Sequence, residues 1–75
     1  MMAVMAADLL IRLGDRIRKL RKKRGWTQVE FAERVGLDRS FLADVERGKR
    51  NISILNVELI AKGLRMTLSQ LFSRL

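Results

Sequence analysis

Two residues, Gly36 and Leu37, connect two segments that each carry the start signal of a helix, and this short connection restricts the fold strongly. Upstream, Thr27 opens a T-x-x-E capping box, and Gly36 supplies the stop. Downstream, Asp38 is a good N-cap for the next helix. Helices joined this tightly must cross at a steep angle. The spacing favours a helix-turn-helix over about residues 27–47, with an ordinary corner of a small helix bundle as the alternative.

The rest of the chain carries apolar residues at intervals of three and four, which is typical of helices and not of strands. The first helix is predicted over about residues 8–24, although Gly14 interrupts its apolar stripe and leaves Asp15 as the alternative start. A fourth helix is predicted over about 53–63 and a fifth from Thr67, each with an N-cap. These signals predict one compact all-α domain of five helices.

The charge of the chain predicts attraction to a polyanion, because 16 Lys and Arg against 8 Asp and Glu give a net charge of +8. Half of the basic residues lie between Arg12 and Arg24, so the charge is concentrated on the first helix. Either a nucleic acid or an anionic membrane surface fits this charge. The membrane surface ranks lower, because the apolar stripe of the first helix is needed for the core.

Several classes of function are excluded by what the chain lacks. It contains no Cys and no His, so the common nucleophile–base pairs and transition-metal sites cannot be built. We therefore expect no enzyme, no metal, no cofactor and no small-molecule ligand. No apolar run approaches the roughly 20 residues that span a bilayer, and the start MMAVMAAD lacks the basic residues of a signal peptide. These features predict a cytoplasmic protein.

The third helix has a thin apolar face, formed by Leu42 and Val45. Its other face carries small, polar and basic side chains, which suits a helix that enters a DNA major groove. Arg39 is expected to donate to guanine O6 and N7. Asp44 is expected to accept from a cytosine amino group, to pair with a nearby Arg or to lie just outside the contact zone. The predicted base contacts are Arg39, Ser40, Phe41, Ala43 and Asp44, with partial burial as the alternative for Phe41.

Phosphate contacts are predicted on both sides of this helix. Gln28 follows an N-cap, where free N–H groups favour a phosphate. The segment RGKRN places three cations and an amide directly after the predicted groove helix. The end of the first helix adds further cations. The predicted backbone contacts are Gln28, Arg47, Lys49, Arg50, Asn51, Lys23 and Arg24.

A structural ion pair is predicted between the first and third helices. Arg21 lies on the margin of the apolar stripe of the first helix, and Glu46 lies on the margin of the Leu42–Val45 face. We expect the two side chains to pair across the helices, which explains an acidic residue beside the core of a DNA-binding helix.

The segment TQVEFAERVGLDRSFLADVERGKRN resembles the Cro/CI (Xre-type) helix-turn-helix family, in which T-Q-x-x-x-A-x-x-x-G and x-x-E-x-G recur. The resemblance implies a five-helix, lambda-repressor-like DNA-binding domain that regulates transcription. It places Gln28 at a phosphate, the third helix in the groove, and an Arg–Glu pair at Arg21 and Glu46. Within the family, GLDRSFLADVERGKRNIS is similar to the controller proteins of restriction–modification systems, from which Asp44 and Phe41 depart.

A second copy of the chain is the other expected partner, because one module of this size contacts only a few base pairs. The C-terminal helices carry more apolar side chains than a core this small needs, so part of this set is predicted to form a homodimer interface over about 53–72. The alternative is that all of these side chains belong to the core. RNA polymerase is a possible partner of the DNA-bound dimer. Two alternative functions stay open: a DNA-binding antitoxin or other small Xre-type repressor that acts with a protein partner, and a non-specific nucleic-acid or RNA binder. The predicted interface residues are Leu55, Leu59, Leu68, Leu71 and Phe72.

Overall fold

The computed structural model describes the backbone of residues 2–75 and the side chains of residues 8–75. In this part of the chain no strand occurs, which confirms the all-α fold. None of its helices combines the length and the apolar character that crossing a bilayer requires. The helices are α1 Met2–Lys23, α2 Gln28–Val35, α3 Arg39–Glu46, α4 Ile54–Gly63 and α5 Leu68–Phe72.

The starts of α2 to α5 are set by local caps, as the sequence predicts. Thr27 accepts from the Glu30 N–H while the Glu30 carboxylate accepts from the Thr27 N–H, so the capping box is complete. Asp38 caps α3 with one carboxylate oxygen, which accepts from the N–H groups of Ser40 (2.9 Å) and Phe41 (3.3 Å). These bonds satisfy amide donors that have no partner within the helix. Ser53 and Thr67 cap α4 and α5 in the same way.

The start of α1 differs from both predicted positions, because the helix begins at Met2 and continues through Gly14. Gly14 faces the carbonyl end of α3, where a Cβ would lie only 2.7 Å from the Glu46 carbonyl oxygen. Any larger residue would push the two helices apart. The interruption in the apolar stripe therefore marks a close contact between α1 and α3 and not the start of a helix.

The core is small, and every helix contributes to it. Phe31 of α2 stacks on Trp26, the residue before the N-cap, with ring centroids 5.5 Å apart. This contact fixes the angle at which the chain enters α2. The largest fully buried side chains are Phe31, Ile17, Leu42, Ile60, Leu64 and Leu71.

The burial of Leu71 corrects one predicted dimer contact. Leu71 is 0% exposed, because it completes the core of the single chain and is unable to reach a second copy. Leu68 and Phe72 are partly buried and pack against the same core. By contrast, Leu55 and Leu59 on α4 are 71% and 42% exposed. Of the predicted interface residues, Leu55 and Leu59 therefore expose the most apolar surface to solvent.

Candidate nucleic-acid interface

The turn between α2 and α3 presents α3 at the surface of the domain. Gly36 adopts a φ of +72°, the left-handed conformation that glycine tolerates best. The Leu37 N–H donates to the Ala32 carbonyl oxygen at 3.0 Å and closes the turn. Ala32 is 3% exposed, and its small side chain allows α3 to approach closely. As a result, α3 packs on α1 and α2 with one face and leaves the other free.

The free face of α3 carries two of the predicted base-contacting residues, Ser40 and Asp44, and Arg39 is exposed beside it at the start of the helix. Arg39 and Ser40 are exposed, and Asp44 is partly exposed. At about 100° per residue, Asp44 lies opposite the centre of the buried face. Phe41 is partly buried and packs against the core, which is the alternative that the sequence leaves open for it.

Ala43 does not belong to this free face, which corrects its predicted role. It is 4% exposed. Ala43 lies about 60° around the helix from Glu46, and Glu46 is directed inward by its partner Arg21. The buried face of α3 is therefore wider than its large apolar residues indicate, and Ala43 is removed from the predicted base contacts.

Arg21 and Glu46 form a buried ion pair between α1 and α3. The Arg21 Nε and Nη2 donate to the two Glu46 carboxylate oxygens at 2.7 and 3.0 Å. The remaining Arg21 Nη1 donates to the Trp26 carbonyl oxygen at 2.8 Å. The two side chains are 8% and 1% exposed. Within the described residues, no buried side-chain nitrogen or oxygen lacks a partner, so the cost of removing both charges from water is offset by full hydrogen bonding.

The buried pair is linked to the exposed first turn of α3 through Gln28. The Gln28 Nε2 donates to Glu46 Oε1 at 3.0 Å, and Arg39 Nη1 donates to Gln28 Oε1 at 3.4 Å. A continuous series of hydrogen bonds thus runs from Arg21 through Glu46 and Gln28 to Arg39. Sequence reasoning did not find this link, because Gln28 and Glu46 are 18 positions apart and no local pattern joins them.

The turn after α3 gathers the predicted phosphate contacts. Lys49, Arg50 and Asn51 are all exposed. Gly48 turns the chain with a φ of +71° and lies against α1, where a Cβ would be 2.6 Å from the Ile11 Cα. The first half of α1 therefore supports the turn from beneath and fixes its position relative to α3.

Asp44 connects this turn to the free face of α3. Its Oδ1 accepts from Arg47 Nη2 at 2.6 Å, and its Oδ2 lies 3.7 Å from Arg50 Nη2. The Arg50 guanidinium also lies over the Phe41 ring, 4.8 Å from its centroid. The structure thus favours pairing with arginine for the free chain, one of the roles that the sequence left open for Asp44.

Two arginines of the first basic segment, Arg16 and Arg24, contact the ends of the C-terminal helices and not the turn after α3. Arg24 Nη2 donates to the Leu64 carbonyl oxygen at 2.6 Å, because the last carbonyls of α4 have no donor within the helix. Arg16 donates in the same way to the Gln70 and Leu71 carbonyl oxygens of α5. Arg24 nevertheless stays exposed, so its contact with the DNA backbone stays a prediction. Lys23 is exposed.

Comparison with known proteins agrees with this geometry. The sequence profile of the helix-turn-helix family HTH_3 matches residues 17–71. The chain belongs to this helix-turn-helix family. It is 48% identical to the control protein C.MunI from a Mycoplasma species over 67 residues, which cover 88% of this chain and 90% of that protein. The resemblance to Xre-type regulators, and within them to controller proteins, is confirmed.

Solved structures of controller proteins share the fold. The restriction–modification controller protein C.AhdI from Aeromonas hydrophila superposes with a TM-score of 0.81 at 41% identity, covering 84% of this chain and 96% of that one. The controller protein C.Esp1396I, solved as a tetramer in complex with its natural 35 base-pair operator, superposes with a TM-score of 0.80 at 37% identity, covering 87% and 86%. These similar proteins are regulators and not enzymes.

Proposed function

We propose that this helix-turn-helix protein is a sequence-specific, DNA-binding regulator of transcription that inserts α3 into the major groove. The observation that carries the proposal is the series of hydrogen bonds from the buried Arg21–Glu46 pair through Gln28 to Arg39. This series holds an exposed guanidinium at the start of a surface helix. A guanidinium directed by such a contact is suited to bidentate bonding with guanine O6 and N7.

The remaining contacts divide into base edges and phosphates. Ser40 and Asp44 lie on the free face of α3, and Arg39 is exposed beside it at the first turn. We assign a thymine methyl contact to the part of the Phe41 ring that the core leaves uncovered. The Gln28 side chain is engaged by Glu46 and Arg39, so we assign its phosphate contact to the main-chain N–H at the start of α2. The exposed cations and amide of the following turn complete the backbone contacts: Arg47, Lys49, Arg50 and Asn51, with Lys23 adding long-range attraction.

We propose that two copies bind a pseudo-palindromic operator, with half-sites about one helical turn, or roughly 34 Å, apart. The α4 side chains of Ile54, Leu55 and Leu59 are 62%, 71% and 42% exposed, and they form the centre of the proposed isologous interface, with Leu68 and Phe72 at its edge. Leu55→Lys should shift the sedimentation coefficient from dimer to monomer, because it places a charge in the interface. Leu9→Lys, which alters an equally apolar residue that is 42% exposed on α1, should leave the dimer intact.

The regulated genes are proposed to be those of a restriction–modification system. The proposal is supported by similarity to C.MunI and C.AhdI over most of their lengths. The bound dimer would block or recruit RNA polymerase in the cytoplasm according to where the operator lies relative to the promoter. Because binding requires dimerisation, occupancy would rise steeply with the concentration of the protein.

The direct test is selection of bound duplexes from a random pool, followed by footprinting on the enriched sequence. The wild-type protein should enrich a symmetric motif, and the two halves of its footprint should be centred about one helical turn apart. Failure to enrich any motif would contradict sequence-specific regulation. A motif without symmetry would contradict the dimeric operator.

A further inference from the structure

Asp44 is an unusual residue to find at the centre of a DNA-binding surface. Leu42, Ala43, Val45 and Glu46 are buried, and at about 100° per residue Asp44 lies roughly 180° from the middle of these four. Of the α3 side chains, Asp44 therefore projects most directly away from the domain. A helix that docks with this face brings its carboxylate towards the floor of the groove.

In the free chain this carboxylate is shared by two arginines. The Arg47 Nη2 donates to Asp44 Oδ1 at 2.6 Å, and the Arg50 Nη2 lies 3.7 Å from Oδ2. The Arg47 and Arg50 side chains remain 57% and 49% exposed, while that of Asp44 is 34% exposed. Pairs this exposed are weak and exchange readily. Asp44 therefore restrains two cations weakly and reversibly, and both would be free to contact phosphates without it.

The major-groove floor offers a carboxylate few partners. A carboxylate is an acceptor only, and the base donors in that groove are the amino groups of cytosine N4 and adenine N6. Adenine places its N7 acceptor beside its amino group, which would repel the second carboxylate oxygen, whereas cytosine does not. A carboxylate that leaves water without gaining a donor is strongly disfavoured. Cytosine is therefore the base that fits Asp44.

We propose that Asp44 exchanges its arginine partners for a cytosine amino group when the operator binds, and that this exchange releases Arg47 and Arg50 to phosphates. The proposal rests on the proposed function, since it requires α3 in the major groove. On a duplex without cytosine at this position, Asp44 keeps its arginines and those phosphate contacts are not made. Asp44 thus couples the identity of one base to the strength of backbone binding.

The experiment compares wild type, Asp44→Ala and Asp44→Asn in duplex selection and in titrations of a random-sequence duplex over a range of salt. The wild-type motif should contain one invariant C·G pair in each half-site, and Asp44→Ala should lose the preference at that pair only. Both variants should bind the random duplex up to about fivefold more tightly, since a surface ion pair changes an equilibrium by up to about that factor. The salt dependence should steepen by about 0.9 for each arginine released.

Glu33→Ala is the matched control, because it removes one negative charge from an exposed residue of α2 that is not among the proposed DNA or dimer contacts. It should keep the wild-type motif and salt dependence. An unchanged motif in Asp44→Ala would overturn the contact with cytosine, and unchanged affinity and salt dependence on the random duplex would overturn the restraint of the arginines. Both outcomes are distinct from failure of the proposed function, in which the wild-type protein itself enriches no motif.

Discussion

Glu46→Gln keeps the size and shape of a side chain that is 1% exposed. It removes the negative charge and replaces one acceptor oxygen by an NH2 group that faces the donors of Arg21 or Gln28. The Arg21 guanidinium would then remain buried against a neutral amide and the Trp26 carbonyl oxygen, without a counter-charge. Removing one partner of a buried ion pair costs about 3–5 kcal/mol. At about 0.05–0.15 kcal/mol per residue, a chain of 75 residues is stabilised by roughly 4–11 kcal/mol. The substitution should therefore remove a large part of the folding free energy.

The assay is thermal unfolding followed by circular dichroism at neutral pH. For a domain of this size, 1 kcal/mol corresponds to about 4–8 °C in Tm, so Glu46→Gln should lower Tm by at least about 12 °C. Asp15→Asn is the control, because Asp15 pairs with Arg18 and Lys19 at 2.8 and 2.9 Å on the exposed side of α1. Its Tm should stay close to the wild-type value. A Glu46→Gln variant that melts within about 4 °C of wild type would refute a stabilising, desolvated pair.

A double variant separates stability from DNA binding. Arg21→Met combined with Glu46→Leu replaces both charges by apolar groups and should recover most of the lost stability. It nevertheless removes the acceptor that holds the Gln28 amide, and so frees Arg39. Affinity for the operator should stay reduced in the double variant although its Tm recovers. Recovery of both would show that the pair acts on the fold alone.

Three further predictions concern the packing, the caps and the DNA contacts. Gly14→Ala should destabilise the chain much more than Gly36→Ala in urea unfolding. A Cβ at Gly14 would lie 2.7 Å from the Glu46 carbonyl oxygen. At Gly36 a Cβ has free space, and the cost is that of placing an alanine at a φ of +72°, about 1–2 kcal/mol. The pKa of Glu30 is lowered from 4.5 by hydrogen bonds within the α2 capping box, and the bond from the backbone N–H of the capping threonine has the largest effect. The folded pKa is thus below the unfolded one, so this stabilisation is present above about pH 4.5 and is lost as the pH falls further; Glu30→Gln should flatten that part of the stability profile. Arg39→Ala should relax specificity at one base pair by about 1–3 kcal/mol, whereas Lys49→Ala should weaken binding to all duplexes alike, which competition titrations distinguish.

Most of the fold follows from local signals in the sequence. Each of α2 to α5 is started by a cap whose hydrogen bonds involve residues two or three positions apart, such as Asp38 with the Ser40 N–H. Such bonds depend on neighbouring residues only, and they are visible in the sequence for that reason. The tight turn at Gly36 is equally local.

The contacts that the sequence did not reveal are tertiary. Gly14 resembled a helix break because its need for space comes from Val45 and Glu46 at the end of α3, more than 30 positions along the chain. Ala43 and Leu71 are buried because of what packs over them and not because of their own patterns. Arg24 is engaged by the end of α4 for the same reason. The Arg21–Glu46 pair is an exception, because both residues lie at the edges of apolar stripes that must face each other.

The ratio of two dissociation constants, measured at one salt concentration, tests the central proposal most directly. One is measured with the selected operator, and the other with the same duplex after both half-sites have been scrambled. A regulator that inserts α3 into the major groove and holds Arg39 through Gln28 and Glu46 should bind the operator at least about 10³-fold more tightly. A ratio near one would contradict sequence recognition by this surface.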